Sequence, residues 1–531
     1  MSDEKGAAPS WRVYLGTCGV FLGAGIVSLG QRLLSAGLPD LRGVLGLGFD
    51  EAAWIPTASG MALMFMGPFS VYLGGLLGVR RVLLWSGAIF TFCSIALPFA
   101  PGLGALLVLQ TIAGLASGTF YPLALSFALR SLPPRYTIYA IGAYSMELLS
   151  TLSIGTPLQA WYADHWSWRW IFWTSAVLTP LMMVCIYLAV APPPKRAGPR
   201  PTVSWHGFLF ASAGLSLIEG VLEQGERLDW LGSGTIVAML SVGALLLFAA
   251  AVWRRLAPNP LVSLSFLWRR NILILAVGMF TLRFALLAIL VLIPGYLGAV
   301  QGYRPLQTGR VLLWLAVPVL VMGVCAARLM KWVDGRLIAA LALATIAAAC
   351  LMDAQLTSDW ATDQFWWPQL VLAGGLSFLF VGQIGNQTKE GIATGALTRP
   401  IDAMAYGAFF QTMRLFGGQV GTSVIQRLIA VRTTFHSSIL SRSVEAGNFL
   451  TDERLRTLSA GFAGTSGTEE SQGRAMALLV AELGQQALTL TYMDGFILIA
   501  CVCTGMMLLL ACMKPMKIYL DSKTNITEMS R

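Results

Sequence analysis

Apolar runs recur along this chain, separated by short stretches that carry most of its charges. A hydrocarbon core about 30 Å thick takes roughly 20 apolar residues of α-helix to cross. Runs of that kind start near Val13, Trp54, Val82, Gly104, Tyr136, Ile171, Gly207, Thr235, Ile272, Val311, Leu337, Trp367, Ala403 and Tyr492, fourteen in all. Only structures that satisfy their own backbone can sit in lipid. The pattern therefore predicts an all-α polytopic membrane protein with about 14 transmembrane helices.

Breaks in the pattern group these helices. Pro192, Pro193, Pro194 and the following Lys-Arg-Ala-Gly-Pro-Arg-Pro form the clearest linker, and a second basic, Pro-containing stretch runs from Trp253 to Arg270. The predicted order is 6 + 2 + 6: a six-helix bundle over 1–198, a two-helix insertion over 199–258, and a second six-helix bundle over 259–531. The last connection, about 431–490, is long. Its Arg432, Arg442, Arg454, Arg456 and Arg474 are balanced by Glu445, Asp452, Glu453, Glu469, Glu470 and Glu482. Gly464–Gln472 reads as flexible, and Met476–Leu490 as a helical extension of the last span. The segment is expected to be either a partly ordered loop or a docking surface.

A weak internal repeat fits this division. Leu132-Pro-Pro-Arg135 precedes the fifth span and Leu397-Thr-Arg-Pro400 the thirteenth. Within those spans Gly142-Ala-Tyr-Ser-Met-Glu147-Leu resembles Gly407-Ala-Phe-Phe-Gln-Thr-Met-Arg414-Leu, and Gly155-Thr156 and Gly421-Thr422 follow at similar distances.

Composition agrees with the pattern. Hydrophobic residues make up 56% and charged residues 12% of the 531 positions, and the mean hydropathy is +0.69, outside the soluble range. The first twelve residues are polar and no small-residue cleavage site follows them, so the first run is expected to stay as a helix. The eight cysteines lie mostly in apolar runs, with no histidine beside the close pair Cys501 and Cys503, so they read as small core residues and not as a metal site. A cluster of Trp161, Tyr162, Trp166, Trp168, Trp170 and Trp173 reads as an interfacial anchor.

The net charge of +10 would suit a nucleic-acid partner, but its distribution argues against one. With an even number of spans both ends lie on one side. Short loops there hold Arg80, Arg81, Arg130, Arg135, Lys195, Arg196, Arg200, Arg254, Arg255, Arg269, Arg270, Lys331, Arg336, Lys389 and Arg399, fifteen in all. Those opposite hold Arg42, Arg169, Arg227, Arg304 and Arg310, five. This bias predicts cytoplasmic termini and explains the basic excess as orientation in the lipid bilayer.

Ionisable groups at the bilayer centre cost several kcal/mol and usually face the bundle interior. Glu147, Arg283 and Arg414 each lie eleven or twelve residues into an outward-running helix, roughly 16–18 Å deep and near the midplane. Transporters bind substrates and coupling ions at such depths. Burial favours the protonated form of a carboxylate and a neighbouring arginine the ionised form. Glu147 is therefore the candidate proton carrier, with Arg414 or Arg283 as its partner; an internal salt bridge that locks the helices is the plainer reading. Arg32, late in the first helix, is a cavity candidate or a snorkelling residue. Gln110, Gln383, Asn386, Gln387 and Gln411 are placed to hydrogen-bond a substrate or a neighbouring helix. Glu219 and Glu223 read as a solvated helix end. None of the three histidines lies deep, and no nucleophile–base pair, metal cluster or phosphate loop points to an enzyme.

Several motifs then resemble one family. These are Asp164-His-Trp-Ser-Trp-Arg-Trp-Ile-Phe172, Leu222-Glu-Gln-Gly-Glu-Arg-Leu-Asp-Trp230, Asn259-Pro-Leu-Val-Ser-Leu-Ser-Phe266 and Arg414-Leu-Phe-Gly-Gly-Gln-Val-Gly-Thr-Ser423. Together with the 6 + 2 + 6 order they resemble the fourteen-helix drug:proton antiporters of the major facilitator superfamily, specifically the EmrB-type multidrug exporters. The chain departs from that pattern at Gly30 and Gln110, where the family carries an acid and an arginine. It departs again at Gly155-Thr-Pro157-Leu-Gln159-Ala160 in the fifth helix. The loop after the second helix is reduced to Gly74-Gly-Leu-Leu-Gly78-Val-Arg80-Arg81, while Arg328, Lys331, Asp334 and Arg336 keep its counterpart after the tenth. These loops are the gating candidates. The resemblance implies an inner-membrane exporter of small amphipathic or aromatic compounds that works by alternating access on a proton gradient, with no bound cofactor. It also implies a periplasmic adaptor and an outer-membrane channel as partners, with the long last loop as the contact. A metabolite or organic-anion carrier on the same fold, and a non-transporting sensor or scaffold, are the alternatives.

Overall fold

The computed structural model describes residues 11–123, 134–190, 205–256, 267–397, 400–444, 448–462 and 467–514. Arg130, Lys195, Arg196, Arg200, Arg399, the proline linker at 192–194 and the Asn259–Phe266 motif lie outside them.

Every apolar run is a helix. In chain order these are α1 (Trp11–Leu45), α2 (Phe49–Leu77), α3 (Val79–Ala96), α4 (Leu103–Ser117), α5 (Pro134–His165), α6 (Trp170–Ala189), α7 (His206–Gln224), α8 (Gly234–Leu256), α9 (Arg270–Ala299), α10 (Pro305–Leu329), α11 (Gly335–Asp353), α12 (Trp366–Ala393), α13 (Pro400–Arg442), α14 (Phe449–Ala460) and α15 (Thr468–Ala511). Among the described residues, eleven helices are long and apolar enough to cross a membrane by length and composition. α5, α7 and α13 fall outside that group because the polar residues they bury lower their mean hydropathy. Observed starts precede the expected ones by a few residues, since polar caps and Pro residues at the first turn carry no hydropathy signal.

Two sets of helices repeat one pattern of pairing. In the first, α1 packs on α5 and α6, α4 on α2 and α3, and α3 on α6. In the second, α9 packs on α13 and α15, α12 on α10 and α11, and α11 on α15. Between the sets, α5 lies along α10 and α2 against α13. α7 and α8 pair with each other, and α7 also lies on α2 and α13.

Glycines set the closest of these contacts. Gly417 and Gly421 of α13 lie on the backbone of Phe280 and Phe284 in α9, and Gly155 of α5 lies on Arg32 of α1. Gly155 and Gly421 of the repeat noted above thus face the first helix of their own set. Gly78, at φ +85°, makes the single-residue turn between α2 and α3 that a side chain would resist.

The long last connection is largely helical. α13 continues to Arg442, α14 follows, and α15 begins at Thr468, well before the expected start near Tyr492. With 43 and 44 residues, α13 and α15 are each about 65 Å long, twice the hydrocarbon thickness. Their surplus forms a projecting hairpin. Arg432 Nε and His436 Nε2 meet Asp494 Oδ2 at 2.6 and 2.7 Å, and Arg454 of α14 meets Glu482 at 2.7 Å. Hydropathy reads lipid burial and is blind to a helix carried on by polar pairs, so the expected loop was too long and too irregular. The cysteine reading also needs correction, since Cys18, Cys325, Cys501 and Cys512 are exposed on the helix surfaces.

A Cβ at Gly417 would lie 2.4 Å from the Phe280 carbonyl oxygen and 2.7 Å from its Cα, where only backbone could give way. Gly417→Ala is expected to cost about 1–3 kcal/mol as an overpacked contact. Its melting temperature in detergent should fall by several degrees. Gly374→Ala, with nothing within 4 Å of its Cβ, should leave it unchanged or raised.

Candidate functional site

Glu147, Arg283 and Arg414 stand at nearly one depth in helices that start at Pro134, Arg270 and Pro400. They lie 13 residues in for the first two (147 − 134 and 283 − 270) and 14 for the third (414 − 400). All three point inward. Arg283 and Arg414 are 5% and 4% exposed. Among the described residues no ion pair joins Glu147 to either arginine: Glu147 Oε2, and Nε and Nη1 of both arginines, are buried without a hydrogen-bond partner. Glu147 rests against Gly25 of α1, where any side chain would collide with its carboxylate. The expected Glu147–arginine salt bridge is therefore absent from this conformation.

Aromatic groups take the place of that pair. The Arg414 guanidinium lies 4.3 Å from the ring centre of Tyr121, a cation–π contact worth more when water is excluded. Tyr121 packs on Tyr144 at 5.7 Å, and Tyr144 on Phe21 and Phe380 at 5.4 and 6.1 Å. The chain thus joins α1, α5, α12 and α13 across both sets of helices. Tyr144, three residues before Glu147, carries a buried hydroxyl with no partner. Neither tyrosine stood out in the sequence, where aromatic residues in apolar runs look like ordinary core.

A cavity of about 540 Å³ lies beyond this layer, toward the end at which α2 begins. That volume falls within the usual range for small-molecule sites, roughly 300–1,000 Å³. α1, α2, α5, α7, α9 and α13 form its wall, and Arg32, Arg283, Glu219 and Glu223 are among its lining residues. Arg32 does not snorkel. It donates from Nε to Thr156 Oγ1 at 3.0 Å and from Nη2 to the Leu290 carbonyl at 3.3 Å, tying α1 to α5 and α9. Glu219 is 7% exposed, so the expectation of a solvated helix end is wrong for it. α7 lies along α2 and against α13 and turns its carboxylates into the bundle.

The amides are dispersed. Gln110 lines a separate small cavity of about 40 Å³ with Gly30, Gln31 and Ser175. Gln383 donates to the Leu275 carbonyl at 2.5 Å and packs into the space at Gly278. Asn386 fits against Gly335 with both polar atoms unpartnered, the Gln387 backbone carbonyl accepts from the Tyr406 hydroxyl at 2.7 Å while its side-chain Nε2 is unpartnered, and Gln411 keeps an unpartnered Oε1. None of these five lines the 540 Å³ cavity.

At the opposite end the helices close together. Gly74 of α2 meets Leu123 and Met404, Gly75 meets Ile401, and Gly142 of α5 meets Ala327 of α10. The gating candidates lie here. Asp334 caps α11 by accepting from the Arg336 backbone at 3.0 Å and pairs with Arg336 Nη2 at 2.8 Å, while Arg336 Nη1 donates to the Met513 carbonyl at 3.1 Å. Partial burial works against the charged carboxyl, but the hydrogen bonds and charge of Arg336 outweigh it and hold Asp334 below the usual carboxylate range. Arg80 donates to the Tyr187 carbonyl at 2.9 Å and stacks on its ring. Arg81 and Arg328 are exposed.

A multi-pass helical membrane protein with two sets of like-paired helices and a charged cavity between them is the class that this fold and site define. A profile of the Major Facilitator Superfamily matches residues 20–422, and the chain belongs to that superfamily. It is similar to the probable multidrug resistance protein EmrY of Escherichia coli, 24% identical over 79% of this chain and 81% of that protein. It is 23% identical to the fatty acid resistance protein FarB of Neisseria gonorrhoeae, over 81% of this chain and 83% of the relative. The colistin resistance protein EmrB of Acinetobacter baumannii is 22% identical, over 92% and 93%.

Removing one member of a buried ion pair costs about 3–5 kcal/mol, because the other charge is stranded. Glu147 has no such partner, so Glu147→Gln should leave the melting temperature of the purified protein unchanged or raised. A fall of several degrees would show that the pair forms in the membrane.

Proposed function

We propose that this protein is an inner-membrane exporter of small amphipathic or aromatic compounds, driven by proton antiport and working by alternating access between two six-helix halves. The observation that carries this reading is the layer of buried, unpartnered ionisable groups at one depth, with a cavity beside it. Buried polar groups without partners are rare and need a proton, a water or a ligand to account for them. The names of the relatives support the drug-export part of the reading, and the matching helix pairings support the two halves, with α7 and α8 as the insertion.

In this reading Glu147 carries the coupling proton. Protonated, it sits neutral against Gly25; ionised, it is drawn to Arg414 or Arg283, and that exchange biases the halves. The end at which α1 starts faces the cytoplasm, following the basic loops. The cavity then faces outward, with the cytoplasmic side closed by the α2–α13 and α5–α10 contacts. Arg283, unpartnered at the cavity wall, favours compounds that carry an anionic group. The projecting hairpin of α13, α14 and α15 docks a periplasmic adaptor that leads to an outer-membrane channel.

Transport in proteoliposomes with an imposed proton gradient tests the coupling, using aromatic acids, cationic drugs and neutral drugs beside one another. Wild type should move an aromatic acid against its gradient. Glu147→Gln should bind it but lose the gradient-driven component, by tenfold or more. Equal rates and equal gradient dependence in both proteins would sink the assignment.

Deleting residues 440–472 should abolish efflux from cells and spare transport in liposomes. Loss of both would make the hairpin a structural element and not a docking arm.

A further inference from the structure

The inserted helix α7 supplies one wall of the cavity, and that wall is acidic. Three of the six charged side chains lining the cavity, Arg32, Glu226 and Arg227, are already occupied. Arg227 donates to Asp50 Oδ1 and to Gln224 Oε1, each at 2.6 Å. Glu226 accepts from the Trp230 indole at 3.0 Å and meets Arg427 at 3.4 Å. Glu223 lies beside Gln419, and Arg32 is committed to Thr156 and Leu290.

Two ionic side chains on the lining remain with buried, unpartnered atoms. One is Glu219, 7% exposed, with Oε2 free; it faces Gly60 of α2, where the missing side chain leaves room beside Oε1. The other is Arg283, 5% exposed, with Nε and Nη1 free. They come from different helices, and among the described residues no ion pair joins them. An orphan carboxyl and an orphan guanidinium on the lining of one cavity, each desolvated, are complementary to a molecule that carries both an amine and an acid. Leaving either unmatched costs the full desolvation of that group.

We infer that this cavity is a receptor for an organic zwitterion, with an ammonium group held at Glu219 and a carboxylate or similar anion at Arg283. The inference rests on the exporter reading above and narrows its substrate class. It also gives the inserted pair a direct part in recognition, since Glu219 belongs to α7 and to neither of the two repeated sets. The apolar lining, including Leu63, Leu152 and Leu287, leaves space for an aromatic body between the charged ends.

Three fluorescent probes that share one aromatic group test it. Nε-dansyl-lysine carries an amine and a carboxylate, dansylcadaverine only the amine, and 6-(dansylamino)hexanoic acid only the carboxylate. Each is titrated into the full-length protein in lipid nanodiscs. Wild type should bind the zwitterion about tenfold tighter than either single-charge probe, the scale of one desolvated charge contact. Glu219→Gln should weaken the zwitterion and the amine probe by about tenfold and spare the carboxylate probe. Arg283→Gln should do the reverse, so a general loss of folding cannot imitate the pattern. Equal weakening of all three probes by Glu219→Gln would overturn the assignment. So would a carboxylate probe that matches the zwitterion in wild type, while leaving anion export intact. Failure of all three to bind would also overturn it, and the transport panel described above would then judge the exporter reading by itself.

Discussion

Desolvation of charge is the constraint on which this structure turns. A guanidinium or carboxylate near the middle of a bilayer is tolerated only where protein surrounds it. Glu147, Arg283 and Arg414 therefore dictate which faces of α5, α9 and α13 turn inward. Once those faces are fixed, the glycines beside them acquire their purpose. Gly25 gives the Glu147 carboxylate its place, Gly155 and Gly418 seat the stems of Arg32 and Arg283, and Gly417 and Gly421 bring α13 onto the α9 backbone. Between such helices there is no hydrophobic driving force beyond what lipid already offers, so close contact and polar satisfaction carry the association.

The same constraint explains what could be read from the sequence. Apolar runs located each membrane helix, because lipid burial leaves a compositional trace at every position. The common depth of the three central charges was also legible, since a rise of about 1.5 Å per residue converts position into depth. Orientation around a helix was less so. Glu219 sits near a helix end, and position alone places it in solvent; only the packing of α7 between α2 and α13 shows that it faces a cavity. The amides went the other way. Gln383, Asn386 and Gln387 look like ligand groups in sequence, but in the fold they fit against Gly278 and Gly335 or stay outside the main cavity. The last connection was misread for a third reason. Its helices are held by pairs such as Arg432–Asp494 and Arg454–Glu482, and neither lies within reach of a hydropathy window.

Tyr121 and Tyr144 show a further limit. A buried arginine is expected to find a carboxylate, and a search for charge pairs passes over aromatic faces. Here the ring stack seats the Arg414 guanidinium without consuming Glu147. A permanent Glu147–Arg414 bridge would stabilise one conformation and hold the carboxylate ionised. A cation–π contact leaves the acid available for a proton, which is the property that a coupling group requires.

The attachment of α7 bears on how the halves would move. To α2 it is fastened by Gln224 Nε2, which donates to the Ala53 carbonyl and to Thr57 Oγ1 at 2.9 and 2.5 Å, and by Ser216, which donates to the Met61 carbonyl at 2.8 Å. To α13 it is held by Ser423, which donates to the Leu222 carbonyl at 2.6 Å but has a second acceptor on its own helix at Gln419, and by the exposed Arg427–Glu226 pair. Exposed pairs contribute only about 0–1 kcal/mol, and a serine that can turn back to its own helix loses little on release. Breaking the Gln224 contacts would strand a buried amide. In a rocking cycle α7 would therefore travel with α2 and part from α13, and Glu219 would move relative to Arg283. A cavity whose acid and base ride on different halves changes its own charge spacing as it opens and closes, and it would bind and release a two-charged cargo by that change alone.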